Sequence, residues 1–226
     1  MGALYWQLND CWPAVSWSSI DYHNRWKALH YISKRFFAPL LVSAVEDTEN
    51  SRVSIYVTSD LRETCTGKLL WKVTNVKGET LLQGEQMLNI LPRSSRRVQV
   101  LKVARYLKEH GSRNLMLWME LFVNDASVST NFVSFARPKH LELCKPDISI
   151  SISGKKKGSA IITLKTKAPA LWAWLELEDA DARFSDNFFH ILPGKPIKVT
   201  LSLKEPISLA EIRQRLRVSS LIDTYQ

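Results

Sequence analysis

Metal ligation and nucleophilic catalysis draw on cysteine, histidine and carboxylate side chains held at short, recognisable spacings. The 226-residue chain has three cysteines, Cys11, Cys65 and Cys144, and five histidines. The cysteines are far apart, no C-x-x-C or Cys/His ligand pattern occurs, and no histidine stands beside a nucleophile; no metal or other cofactor is expected. Three cysteines allow at most one disulfide, and free, buried thiols are the expectation. Anionic partners would call for clustered bases, and the net charge of +9, from 31 Lys and Arg against 22 Asp and Glu, raises that question. The runs are scattered, however. Lys155, Lys156 and Lys157 sit between Gly154 and Gly158 and read as a solvated hairpin loop. Arg213, Arg215 and Arg217 alternate with Leu216 and Val218 nearby and read as the wet face of a strand. No aromatic residues interleave with these bases to stack nucleotides, so nucleic acid is not an expected partner. Tryptophan is what concentrates: Trp6, Trp12, Trp17 and Trp26, half of the chain's eight, fall in the first 26 residues. Asn9 and Asp10 lie between the first two, hydrogen-bonding groups well suited to capping a turn.

Elements must position these residues, and the hydrophobic period divides the chain into three segments. Residues 3–8 form an apolar strand that runs into a Trp/Pro/Ser-rich loop. A helix follows over residues 25–37, with Trp26, Leu29, His30, Ile32 and Phe36 on its packed face, stopped by Pro39. From residue 40 the period becomes two, as in Val53, Ile55 and Val57 against Ser54, Tyr56 and Thr58. Seven short strands are expected before residue 138, near 40–45, 53–58, 68–76, 79–90, 97–103, 115–122 and 127–135. Pro138 and Pro146 bracket a connector to a second β unit, with strands near 148–153, 158–166, 171–178, 196–203 and 213–219 and a helical turn over 206–212. The fold class is therefore mainly β, two immunoglobulin-like β-sandwich domains without an inter-sheet disulfide. In them, Trp71 fits a strand and Trp118, in phase with Phe122, reads as core. Trp172 and Trp174, sharing a strand face, also read as core. No apolar run approaches the roughly 18–20 residues that cross a bilayer, so no membrane partner is expected.

The opening segment resembles the β-mannosidases of glycoside hydrolase family 2. The residues that carry the resemblance are Gly2-Ala3-Leu4-Tyr5-Trp6-Gln7-Leu8-Asn9-Asp10, then Cys11-Trp12-Pro13, then Ser16-Trp17-Ser18-Ser19-Ile20-Asp21-Tyr22. Arg25-Trp26-Lys27-Ala28-Leu29-His30 and Phe36-Phe37-Ala38-Pro39 extend it. Later, Asp186-Asn187-Phe188-Phe189 and Leu192-Pro193-Gly194 are similar to a loop of that family's C-terminal domain, and residues 221–225 to its last strand. The resemblance implies that residues 1–39 are a remnant of a catalytic (β/α)8 barrel, its last strand and helix, followed by sandwiches over 40–138 and 139–226. A whole barrel takes about 250 residues, so the rest of it would lie upstream.

The activity implied is retaining, exo-acting release of terminal β-D-mannose, which needs an acid/base and a nucleophilic carboxyl flanking the anomeric carbon. In this family both are Glu, the acid/base following Asn. No Asn-Glu pair occurs here, and Asp10 and Asp21 are the only acids before Glu46. No catalytic residue is assigned, and the chain alone is expected to be inactive. By resemblance, Trp6 is a floor for the sugar at the end of the last barrel strand, with Asn9, Asp10 and Trp12 as further substrate contacts. The implied partners are a β-mannoside or oligosaccharide substrate, through a parent enzyme, and the missing barrel. The implied location is lysosomal or secreted. The alternative is an autonomous immunoglobulin-like module that binds carbohydrate or a protein partner. It would leave the apolar opening segment uncovered.

Overall fold

The computed structural model of the protein describes residues 4–156 and 158–225. The side chains of Lys155 and Lys156 and the whole of Lys157, on which the reading of a solvated tip rests, and the first residue of the strand expected at 3–8, fall outside what is described. The chain groups into two compact units: residues 35–144, and residues up to 34 together with 145 onward. The opening segment thus belongs with the second sandwich, not the first.

Residues 4–8 do not form the expected strand. A strand needs a neighbour to share its ladder, and among the described residues the segment makes only one bridge, Asn9 to Ile20, supported by Ile20 N–H donating to Leu8 O at 2.9 Å. The first helix, α1 (Ala28–Phe36), starts later than the sequence suggests. The Asp21 carboxylate takes the Arg25 backbone N–H at 2.8 Å and its Nε at 2.6 Å, and Ile20 bridges to Trp26, so residues 21–26 are a turn with a short extended arm. The face buried is also different: Tyr31 and Ser33 are covered while Phe36 is 39% exposed, because the helix meets Phe188 through Tyr31, with ring centroids 6.1 Å apart.

In the 35–144 unit the seven strands are all present. They are β1 (Leu40–Asp47), β2 (Arg52–Ser59), β3 (Cys65–Asn75), β4 (Thr80–Ile90), β5 (Ser94–Lys102), β6 (Leu115–Val123) and β7 (Ala126–Ser134). They pair antiparallel in two sheets, β1-β2-β5 and β4-β3-β6-β7. Alternation puts Val53, Ile55 and Val57 of β2 and Leu117, Met119 and Leu121 of β6 into the space between them. At the open edge Ser129 Oγ accepts from Val42 N–H at 3.0 Å and Asn131 Nδ2 donates to Val42 O at 2.9 Å, so side chains of β7 satisfy the β1 backbone. A short helix, α2 (Ala104–His110), stands between β5 and β6, where no helix was expected. Trp118 is buried but outside the inter-sheet cluster, since it shares the opposite face with Met116; its Nε1 donates to Thr74 Oγ1 at 2.9 Å. Trp71 lies over Gly84, and a Cβ on that glycine would collide with the indole.

The second sandwich contains β8 (Ser149–Lys156), β9 (Ser159–Lys165), β10 (Ala170–Leu177), β11 (Ala182–Phe184), β12 (Phe189–Ile191), β13 (Ile197–Leu203), α3 (Leu209–Arg215) and β14 (Leu216–Ser219). Its sheets run β11-β13-β9-β8 and β12-β10-β14 around Ile162, Leu164, Leu175, Val199 and Leu201. Two expectations are corrected here. A reciprocal Ser208/Glu211 cap sets the start of α3, which runs to Arg215, so Arg213 and Arg215 are helical and only Arg217 is on a strand, paired with Glu178 at 2.7 Å. Residues 221–224 form a 3₁₀ turn under a Ser220/Asp223 cap in place of a last strand.

Candidate functional site

Within the opening segment, polar side chains point in and indoles point out. Asp10, 7% exposed, accepts from Ser16 Oγ on one carboxylate oxygen and from Lys27 Nζ on the other, at 3.0 Å. Lys27 Nζ also donates to Ser18 Oγ at 2.7 Å, and Ser18 Oγ donates to Ile20 O at 2.9 Å. Ser19 ties the other side: its Oγ donates to Leu8 O at 2.9 Å and meets Tyr5 Oη and His30 Nδ1, each at 3.2 Å. The Ser16 hydroxyl, aided by Lys27 and Ser18, holds the Asp10 carboxyl below its ordinary value of 3.8, so the anion is the form this network stabilises.

The network leaves Trp6, Trp12 and Trp17 on the outside, 74%, 70% and 79% exposed. Asn9 is exposed, and its Nδ2 donates only weakly, to the neighbouring Asp10 O at 3.3 Å. Of the four residues expected to contact substrate, Trp6, Asn9 and Trp12 present their side chains outward. Asp10 differs, since both its oxygens are taken within the loop. Asp21 is likewise engaged, by Arg25. Lys27, which ties the loop together through Asp10 and Ser18, was not singled out from the sequence. Its signal was in the sequence, as a lone lysine between Trp26 and Ala28 on a stretch otherwise suited to burial. His30, expected on the packed face of the first helix, rests its ring against Trp26, with centroids 4.7 Å apart.

A second aromatic group lies in the same unit. The Asn187 amide is buried and replaces a length of strand: Oδ1 accepts from Leu175 N–H at 2.8 Å and Nδ2 donates to Leu175 O at 3.0 Å. That clasp sets Phe188, whose φ is +53°, against Trp174 in a stacked arrangement, centroids 6.3 Å apart. Trp172 and Trp174 are half-buried on the outer face of β10, since Ala173, Leu175 and Leu177 take the core side; the expectation that they fill the core is corrected. A pairing irregularity between Ala170 and Ala173, with Trp172 at φ +45°, brings Ala170 to the core side along with Ala173. The three cysteines are free, as expected, but Cys11 is exposed and Cys65 and Cys144 are only half-buried. Among the described residues no cluster of His, Cys, Asp or Glu could hold a metal ion, and no helix is long and apolar enough to cross a membrane.

Comparison with known proteins bears on both sandwiches. Residues 51–140 match the family described as a mannosidase Ig/CBM-like domain, and residues 143–224 match an Ig-fold domain of the mannosidases. A β-mannosidase of Mus musculus is 34% identical over 233 aligned residues, which take in 100% of this chain and 26% of the mouse protein. A β-mannosidase A of Emericella nidulans is 29% identical over 91% of the chain and 23% of its own length. Among solved structures, a β-D-mannosidase from Dictyoglomus thermophilum superposes with a TM-score of 0.80 at 26% identity, covering 95% of this chain and 25% of that one. The chain thus spans about a quarter of the length of the relatives it matches. By its two immunoglobulin-like domains and its full-length alignment, the chain belongs with the β-mannosidases of glycoside hydrolase family 2 and corresponds to their C-terminal region.

Proposed function

We propose that this chain acts as the C-terminal part of a retaining exo-β-mannosidase that hydrolyses terminal β-D-mannose from β-mannosides and oligosaccharides. Residues 1–39 contribute the end of the catalytic barrel, and the sandwiches at 40–138 and 139–226 are accessory domains. The catalytic carboxylates come from the barrel upstream. The observation that carries the reading is the opening segment, in which a hydrogen-bonded network fixes a loop so that Trp6 and Trp12 are presented outward. Contiguous exposed apolar surface on a soluble domain marks an interaction site, and an indole face suits the C–H face of a pyranose. In this scheme Trp6 is the floor beneath the reacting sugar, Trp12 and Asn9 contact its surroundings, and Asp10 holds the loop that carries them. The relatives named β-mannosidase support the substrate class. A lysosomal or secreted location belongs to the same proposal.

A second reading, an autonomous module that binds carbohydrate or a protein partner, draws on Trp172 and Trp174 facing outward on the second sandwich. One experiment separates the two. An antibody raised against residues 140–226 isolates the native product, which is sized and then assayed on a chromogenic β-mannoside. The expected product is several times heavier than 25.9 kDa and releases mannose with retention. In that species Trp6→Ala lowers kcat/KM by roughly 10–100-fold, the value of one lost aromatic contact. A native product of the chain's own size without hydrolysis overturns the reading and leaves the module.

A further inference from the structure

We propose that the cleft between α1 and strands β11 and β13 is a binding site for a carboxylated pyranose, a hexuronate unit, whose carboxylate is taken by Arg183 and Lys34. The cleft measures about 320 Å³, at the lower end of the range for small-molecule sites and sufficient for one sugar ring. Its charge is one-sided. Arg183 and Lys34 line it, no carboxylate does, and neither cation has an ion-pair partner among the described residues. Some other bases of the unit are paired with acids, as are Arg217 with Glu178 and Lys204 with Asp181. Asp186 acts on the nearby Tyr31 phenol but is not part of the lining, and its Oδ1 accepts from Asn187 N–H.

The geometry favours a planar anion on a polyhydroxylated body. Arg183 is opposite Ser202 in the β11–β13 ladder, and its guanidinium carbon lies 4.6 Å from the Trp26 ring centroid. An aromatic face holds a guanidinium in place without neutralising it, which leaves its fork of N–H donors for a carboxylate. Ser185 and Thr200 stand on the same sheet face as Ser202, and Ser185 Oγ accepts from Thr200 N–H at 2.9 Å, which leaves its O–H to donate. The sheet wall carries hydroxyls and the Arg183 guanidinium, and the helix wall carries the Lys34 ammonium, a set that matches ring hydroxyls and a ring carboxylate. A neutral sugar would offer the two cations no charged partner, and a bare inorganic anion would leave the hydroxyl wall and most of the volume unused.

The test uses the full chain labelled with 5-fluorotryptophan, with the Trp26 resonance assigned by its loss in Trp26→Phe. Sodium glucuronate, methyl β-glucoside and sodium phosphate are titrated at constant ionic strength. The expected result is a saturable shift of Trp26 with glucuronate, little shift with the neutral glucoside, and an apparent Kd about tenfold or more weaker in Arg183→Met. The other tryptophan resonances report whether that variant is folded. Lys34→Met, on the exposed side of α1, carries the same comparison if it is not. An equal response to methyl β-glucoside overturns the carboxylate assignment, and phosphate binding as tightly as glucuronate overturns the saccharide. Unchanged glucuronate binding in a folded Arg183→Met, or no saturable shift at all, overturns the site. None of these outcomes depends on mannoside hydrolysis.

Discussion

In the opening segment Asp10, Ser18 and Ser19 are buried and Trp6, Trp12 and Trp17 are exposed; in the second sandwich Ile162, Leu175 and Leu201 are buried and serines and lysines face out. The two regions are organised by different terms. The sandwich is held by removal of aliphatic surface from water, which is non-directional and tolerates many side-chain combinations. The opening loop has little such surface to bury, and its shape comes from directional bonds from Lys27, Ser16, Ser18 and Ser19. A loop fixed by polar atoms can leave its indoles free for another surface, which a loop fixed by burying them cannot. An exception within the sandwich is Asn187, a buried amide that does what a strand would otherwise do.

That exception gives the largest expected effect. Asn187→Ala strands the Leu175 N–H and C=O in the interior, at about 1–3 kcal/mol for each unpartnered group, and the denaturant midpoint of the second sandwich should fall accordingly. A midpoint within error of the parent would mean that the clasp is dispensable and that the sandwich rests on aliphatic burial alone. The opening loop should instead answer to pH. Asp10 has its folded-state value lowered, first by Ser16 and then by Lys27, so its contribution is fully present above the ordinary 3.8 and is lost only as pH falls through the lowered value. The environment of the loop indoles, followed by fluorine resonances, should therefore stay constant down to that range and change below it. Lys27→Met removes a charge and a donor from Asp10 and should move the change to higher pH. A parent loop already released well above 3.8 would place its support elsewhere.

What the sequence disclosed follows the same division. Strands β1 to β7 were legible because burial on one face writes a period of two, as in Val53, Ile55 and Val57. β11 and β12, of three residues each, are too short to show a period. Trp172 and Trp174 were misread because two large aromatics were weighed above the alternation that sets them, with Glu176, opposite the core face of Ala173, Leu175 and Leu177. Asp10 was recognised as important. Its partners Ser16, Ser18 and Lys27 were not, since a polar network in a loop follows no period and rests on contacts up to 17 residues apart. The cleft at Arg183 was invisible for a related reason: Trp26 and Arg183 come from opposite ends of the chain.

The smallest expected effect is the sharpest test of the contrast. If the loop is held by its polar atoms, Trp12→Ala, which truncates a side chain that is 70% exposed, should leave unfolding stability within about 0.5 kcal/mol of the parent. The same truncation of a buried aromatic costs about 3–5 kcal/mol, and Trp118, under 10% exposed and bonded to Thr74, provides that reference in the other unit. A Trp12→Ala cost approaching the Trp118→Ala value would mean that the indole packs against its own chain, and the loop would then be a small core instead of a presented surface. A near-zero cost combined with weaker mannoside binding in the larger enzyme proposed above would assign the indole's whole contribution to what it touches outside this chain.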